Sequence, residues 1–220
     1  MAELVTEVVD DAAQLARRAA EFVAERARAA VADHGRFTFA VSGGHTPWAM
    51  FAELAHEDVP WAQVAIYQVD ERVAPDGDPD RNLTHLRESL TSDVEIHAMP
   101  VTNPDLAAAA AHYATELPES FDLIHLGLGP DGHTASLVPG DPVLDVTDSE
   151  IGVTAPYMGH QRMTMTYRCL DQAHEIVWLI SGADKFASIQ RLYARDRGIP
   201  AGRVATAKQF LFVDRAAVGQ

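Results

Sequence analysis

The stretch FDLIHLGLGPDGHTASLVPG, residues 121–140, decides how the chain is read. Residues 121–126 form an apolar, strand-like run that breaks into three glycines, Gly127, Gly129 and Gly132. Asp131 and His133 stand among them, with Thr134, Ser136 and a closing Pro139-Gly140 beyond. A buried strand that runs into a glycine loop carrying an acid and an imidazole is how an α/β protein presents reactive groups at the carboxyl edge of its sheet. Glycine supplies positive φ and lets a ligand approach the backbone.

Two further junctions of the same kind flank this one. Residues 37–41 (FTFAV) read as a buried strand entering SGGHTP, residues 42–47. Thr46 suits an N-cap and Pro47 a first helical position. The loop of Ser42, Gly43, Gly44 and His45 then serves either as an anion site at a helix N-terminus or as a plain strand-to-helix turn. Residues 175–180 (EIVWLI) read as a core strand ending in Ser181-Gly182, with Lys185 in the first turn of the next helix. A cation there opposes the helix dipole, a choice that makes sense if the ammonium faces an anion. Residues 64–70 (VAIYQVD) form one more strand, ending in Asp70-Glu71-Arg72 at the same sheet edge.

Between these strands lie helical patterns. Residues 10–33 carry an apolar face of Leu15, Ala19, Phe22, Val23, Ala27 and Ala30, with Asp10 or Asp11 as cap and Gly35 as stop. Shorter helices are expected at 83–90 behind Asn82 and at 104–117 behind Asn103-Pro104. A last strand at 209–213 precedes a short helix capped by Asp214. The alternation predicts an α/β fold, a mostly parallel doubly wound sheet with helices on both faces. Residues 151–155 and 162–167 add a small antiparallel pair. The whole of 1–220 is expected to be a single domain, as no linker or repeat divides it.

Composition narrows the function classes. The chain has 220 residues, 47% of them apolar, enough for a sizeable core. With 32 acidic against 17 basic residues the formal charge is −15, which argues against nonspecific nucleic-acid binding. No apolar run approaches the roughly 20 residues that span a bilayer, and the acidic start MAELVTEVVDDAAQ lacks the pattern of a secretory signal. The lone Cys169 offers neither a disulfide nor a zinc cluster. A cytoplasmic location is the expectation, with no nonspecific nucleic-acid binding, membrane span or cysteine zinc site. Neither a Walker A loop nor a GxGxxG fingerprint is present, and Ser136 lacks the G-x-S-x-G setting of a serine nucleophile.

The motifs SGGHTP (42–47), DER (70–72), GLGPDGHTASLVPG (127–140), RMTMT (162–166) and SGADK (181–185) follow one another in the order seen in 6-phosphogluconolactonases. The chain resembles that family over essentially its full length. The resemblance implies a fold of the sugar-phosphate isomerase/deaminase-like type. It also implies hydrolysis of 6-phosphogluconolactone to 6-phosphogluconate in the pentose phosphate pathway, without a metal or an organic cofactor. The expected partner is a small-molecule sugar-phosphate lactone, with no nucleic acid and no membrane, and the chain is expected to be a monomer or weak homodimer. His45 stands where the family commonly has Ser, and Val138 where it commonly has Phe. The segment APYMGHQ (155–161) lacks a frequent proline-rich run.

Lactone hydrolysis needs an activated water, a donor for the carbonyl oxyanion and a grip on the substrate. His133 is the candidate general base, since imidazole titrates near neutrality. Asp131 either orients it or caps its own loop. The phosphate is assigned to the backbone of Ser42, Gly43, Gly44 and His45 together with Arg162 and Lys185, and Asp70 is placed among the substrate ligands. Arg72 is assigned to substrate or oxyanion, with the 129–133 backbone as an equal candidate for the latter. The alternatives are an amino-sugar phosphate deaminase, in which Asp70 would be the base, and a noncatalytic sugar-phosphate sensor. DGHTASLVP in place of the deaminases' NGHIAFNEP argues against the first, and the Asp131–His133 pair against the second.

Overall fold

The structure is a computed structural model that describes residues 3–90 and 94–220. Its strands are β1 (Glu3–Val9), β2 (Phe37–Val41), β3 (Val64–Gln68), β4 (Asp70–Arg72), β5 (Glu95–His97), β6 (Leu123–Leu126), β7 (Ile151–Val153), β8 (Arg162–Met165), β9 (Glu175–Ile180) and β10 (Lys208–Asp214). Its α-helices are α1 (Ala12–His34), α2 (His45–Leu54), α3 (Asn82–Ser89), α4 (Leu106–Glu116), α5 (Tyr167–Leu170) and α6 (Phe186–Tyr193). Seven strands form one parallel sheet in the order β1-β10-β9-β6-β2-β3-β5. A second, antiparallel sheet has the order β4-β8-β7.

The main sheet is covered on both faces, and its side chains alternate between two cores. Phe39, Val41, Ile66, Leu123, Val177 and Phe212 pack against α1, α2 and α3. Ala40, Tyr67, Ile124, Trp178, Ile180 and Leu211 pack on the other side, with α4, α6 and the antiparallel sheet. This is why the strands read as continuous apolar runs. The buried stripe of α1 is largely alanine (Ala16, Ala19, Ala20, Ala24, Ala27), which brings the helix close to the sheet. Asp11 caps it through the Gln14 N–H at 2.8 Å, and Gly35 closes it in the left-handed region. Among the described residues no helix is long and apolar enough to cross a membrane.

Several expected boundaries move. The first nine residues hold an edge strand, β1, that the sequence reading lacks; its glutamates mask a β-branched run whose Val5 and Val8 stay 42% and 46% exposed. The strand expected at 64–70 splits in two. β3 stops at Gln68, and β4 turns away to pair with β8. Val69 joins them: its N–H donates to Val41 O at 2.9 Å, and its carbonyl accepts from the Met165 N–H at 2.8 Å. Helix α2 starts at His45, with Gly44 in the cap position and no side-chain cap, so Thr46 and Pro47 lie inside the helix. In α4 the cap is Asp105, bonded to Ala108 N at 2.9 Å, while Asn103 braces Asp105. Residues 183–185 form a 3-10 turn, which puts Lys185 just ahead of α6.

Asn82 does not cap α3 but is its first residue, and the cap comes from another strand. The Glu71 carboxylate, fully buried, accepts from the backbone N–H groups of Asn82 (2.8 Å), Leu83 (2.9 Å) and Arg72 (2.8 Å) and from Gln68 Nε2 (2.9 Å). The Arg81 guanidinium, 2% exposed, stands 2.9 Å from it as a counter-ion. Four hydrogen bonds and a paired charge make this burial tolerable. Glu71→Ala should lower the unfolding free energy by about 3–5 kcal/mol, the typical cost of breaking a buried pair. Urea denaturation of both proteins measures it, and an unchanged midpoint would contradict the role given to Glu71.

Candidate active site

Strand order places the site. β2 and β6 are neighbours, but the chain proceeds from β2 to β3 on one side and from β6 to β9 on the other. Their carboxyl-end loops therefore diverge and leave a crevice, the usual ligand position in open α/β sheets. A cavity of about 260 Å³ lies there. The loop after β2 lines it with Ser42, Gly43, Gly44 and His45, and the loop after β6 with Gly127, Gly129 and His133. Asp70, Arg72, Arg162 and Lys185 close its sides. Every residue singled out from the sequence thus reaches one cavity except Asp131, which stands behind His133.

The loop after β6 is tightly folded. Gly129 N–H donates to His133 O at 2.8 Å, and Gly132 N–H to Gly129 O at 3.0 Å. A Cβ on Gly129 would lie 2.1 Å from His133 Nδ1, so the imidazole occupies space that only glycine leaves open. Asp131 Oδ1 accepts both the His133 N–H (3.1 Å) and Nδ1 (2.6 Å). That fixes Nδ1–H toward the carboxylate and leaves Nε2 as the nitrogen available to a ligand. Burial pushes the Asp131 carboxyl up, but its hydrogen bonds to His133 and the imidazole's charge outweigh this and hold it below its ordinary value. Asp131 therefore both caps the loop and orients the imidazole.

The loop after β2 is built for close approach. A Cβ on Gly43 would lie 1.8 Å from Asn82 Oδ1. Asn82, read from the sequence only as a helix cap, couples three parts of the site. It packs on this glycine, its Nδ2 donates to Asp70 O at 2.9 Å, and its Oδ1 accepts from Arg72 Nη1 at 3.1 Å. Arg72 Nη1 also donates to Asp80 O at 2.6 Å. The uncapped N-terminus of α2 opens into the cavity beside His45. The Ser42 hydroxyl, Arg72 Nε and Arg162 Nε are buried and have no hydrogen-bond partner among the described residues. Such orphaned donors are costly unless a ligand satisfies them.

Asp70 has a divided role. Its buried carboxyl accepts from Ser136 Oγ at 2.6 Å, which ties the loop after β6 to β4. Burial pushes it above its ordinary value, against the Ser136 bond and the charges of Arg72 and Arg162. Burial likewise lowers Arg162, with Asp70 opposing and Arg72 reinforcing the change. Lys185 lines the cavity while its ammonium contacts Asp184 Oδ2 at 2.8 Å, so the lysine beside the helix already has an acidic neighbour.

His125, read only as part of an apolar strand, lies beneath the loop after β2. Its Nδ1 accepts the Ser42 N–H at 3.3 Å, and Nε2 is buried without a partner among the described residues. Burial drops its pKa to about 3, so the fold holds it neutral. A polar residue inside an apolar strand was the available signal.

Comparison with known proteins follows from this geometry. The sequence profile of the glucosamine-6-phosphate isomerases/6-phosphogluconolactonase matches residues 10–212, and the chain belongs to that family. A 6-phosphogluconolactonase of Synechocystis sp. is 35% identical over 195 residues, 82% of this chain and 81% of that protein. The crystal structure of a 6-phosphogluconolactonase from Thermotoga maritima superposes with a TM-score of 0.88 at 25% identity, covering 96% of this chain and 100% of that one. A monomeric glucosamine-6-phosphate deaminase shares the fold alone, with a TM-score of 0.87 at 17% identity over 98% of this chain and 99% of that one.

The pH dependence of stability has a definite sign at His125. The folded-state pKa lies below that of the free imidazole, so protons bind the unfolded chain preferentially. The contribution is complete above about pH 6.5 and is lost as pH falls toward 3, at about 1.4 kcal/mol per pH unit. His125→Leu should flatten that acid slope in chemical denaturation measured from pH 7 to pH 4. An unchanged slope would remove His125 from the account.

Proposed function

We propose that the chain is a 6-phosphogluconolactonase, hydrolysing 6-phospho-D-glucono-1,5-lactone to 6-phospho-D-gluconate in the oxidative pentose phosphate pathway. The observation that carries the reading is the Asp131-bound His133 facing a cavity whose other walls hold a glycine loop, a helix N-terminus and three cations. Similarity to proteins named for this activity supports it.

In this reading the substrate phosphate lies on the Ser42–His45 backbone at the start of α2, within reach of Arg162 and Lys185. The lactone carbonyl then lies toward His133. His133 Nε2 takes a proton from water as the water oxygen bonds to the carbonyl carbon. The Asp131 carboxylate stabilises the resulting imidazolium. Arg72, or the backbone N–H groups of the 129–133 loop, receives the oxyanion. The tetrahedral intermediate collapses by breaking the bond from carbonyl carbon to ring oxygen, and His133 returns the proton to that oxygen. Water is consumed, the ring opens, and the enzyme regains its starting protonation. In solution the protein is taken to act as a cytoplasmic monomer or weak homodimer.

The decisive assay uses freshly generated 6-phosphogluconolactone with subtraction of spontaneous ring opening. His133→Asn should lower turnover about 10²- to 10⁴-fold, the usual worth of a positioned base, with an unchanged melting temperature. Near wild-type turnover would refute the base assignment, and ammonia release from glucosamine 6-phosphate would favour the deaminase.

Binding is tested separately. Arg162→Ala should weaken 6-phosphogluconate by roughly 10- to 100-fold in calorimetry, as expected for a lost charged hydrogen bond. Lys185→Ala should weaken it less, because that ammonium already has Asp184 as a partner. Unchanged affinity in both would place the phosphate elsewhere.

A further inference from the structure

The segment between β7 and β8 folds over the site as a hairpin with a two-residue turn. Tyr157 N–H donates to His160 O at 2.9 Å, and His160 N–H to Tyr157 O at 3.2 Å. The two residues between them, Met158 (φ 48°) and Gly159 (φ 86°), both have positive φ, as in the tight hairpin turns that suit twisted strands. Met158 is 77% exposed, and Ala155, Pro156 and Gly159 also face solvent. Tyr157 and His160 are the half-buried residues of this tip, and each packs against another segment.

Tyr157 touches two members of the proposed machinery at once. Its ring meets the His133 imidazole edge-to-face, with centroids 5.9 Å apart and planes at 67°. The Arg162 guanidinium carbon stands over its ring at 5.2 Å from the centroid. Both distances lie within the range of favourable ring and cation–π contacts. His160 anchors the other end of the tip, with Nε2 3.0 Å from Asp80 Oδ2. The same Asp80 offers its backbone carbonyl to Arg72. The tip is thus tied through Tyr157 to His133 and Arg162 and through His160 to Asp80.

We infer that Tyr157 is a positioning residue for the hydrolysis, holding the His133 imidazole in plane while it fixes the Arg162 guanidinium. Asp131 restrains His133 through one nitrogen only, and a ring held at one atom can still rock about that bond. The aromatic wall of Tyr157 supplies the second restraint. The Arg162 Nε has no protein partner among the described residues, so contact with the Tyr157 ring face helps to set its position. One side chain thereby aligns the group that activates water with the group that anchors the substrate. The inference rests on the lactonase reading, whose own test is the activity of the unaltered enzyme.

The experiment measures lactone hydrolysis by Tyr157→Ala, Tyr157→Leu and Tyr157→Phe, each also combined with His133→Ala. Tyr157→Ala should lower kcat about tenfold and raise KM several-fold. Tyr157→Leu, which keeps bulk without a ring, should lower kcat similarly and serves if the alanine variant folds poorly. Tyr157→Phe should stay within about twofold of wild type, because ring contacts rather than the hydroxyl carry the effect. In the His133→Ala background, Tyr157→Ala should leave the residual kcat unchanged while still raising KM through Arg162. Wild-type kinetics for Tyr157→Ala would overturn the inference. So would an equal fractional loss of kcat with and without His133, or a phenylalanine variant as impaired as the alanine one. Absence of lactonase activity in the unaltered enzyme would instead overturn the functional reading beneath it.

Discussion

Glu71 is the constraint on which the site depends. A fully buried carboxylate is tolerable only when its charge is answered, and this one is answered from four segments. Gln68 comes from the end of β3, Arg72 from β4, Asn82 and Leu83 from the start of α3, and Arg81 from the approach to that helix. The triplet DER divides its labour accordingly. Glu71 points inward and fixes the frame, Asp70 reaches Ser136 on the loop after β6, and Arg72 is presented to the cavity. Adjacent side chains on a strand point to opposite faces, so these assignments follow from pleating once the middle residue is buried.

Electrostatically, the cavity reverses the character of the chain. The whole sequence carries a formal charge of −15, yet the charged residues lining the cavity are Arg72, Arg162 and Lys185 against Asp70. The single acid is buried, and burial favours its neutral form. The helix N-terminus and orphaned donors add positive potential of the same sense. An acidic exterior suits solubility, and the local field is confined to the crevice where an anion is read to bind.

Much of this was legible in the sequence, and the reasons are physical. Strands buried on both faces give apolar runs, and loops that need close backbone approach give glycines, so the parallel sheet and its loops could be found by pattern. Arg162 and Lys185 were conspicuous because cations are scarce. The illegible parts depend on contacts between distant segments. The cap of α3 is contributed by Glu71, so a local reading settled on Asn82 instead. Asn82 earns its place at Gly43 and Arg72 only after α3 has docked. β1 lacked a continuous apolar run because it is an edge strand with one half-exposed side. His125 and Tyr157 sat in segments read for their backbone, a strand and a turn, and their chemistry emerges from what the fold packs against them.

Val69 is a single residue held by two sheets, with its N–H bonded to β2 and its carbonyl to β8. There is no linker between β3 and β4 in which to absorb a rotation. The parallel sheet that carries both glycine loops and the antiparallel sheet that carries Arg72 and Arg162 are therefore tied together at this residue. A ligand entering between them meets walls already in place, and little of its binding free energy is diverted to ordering the protein. In this architecture the two hydrogen-bonding ladders meet at one residue, whose two flanking peptide units bond into different sheets.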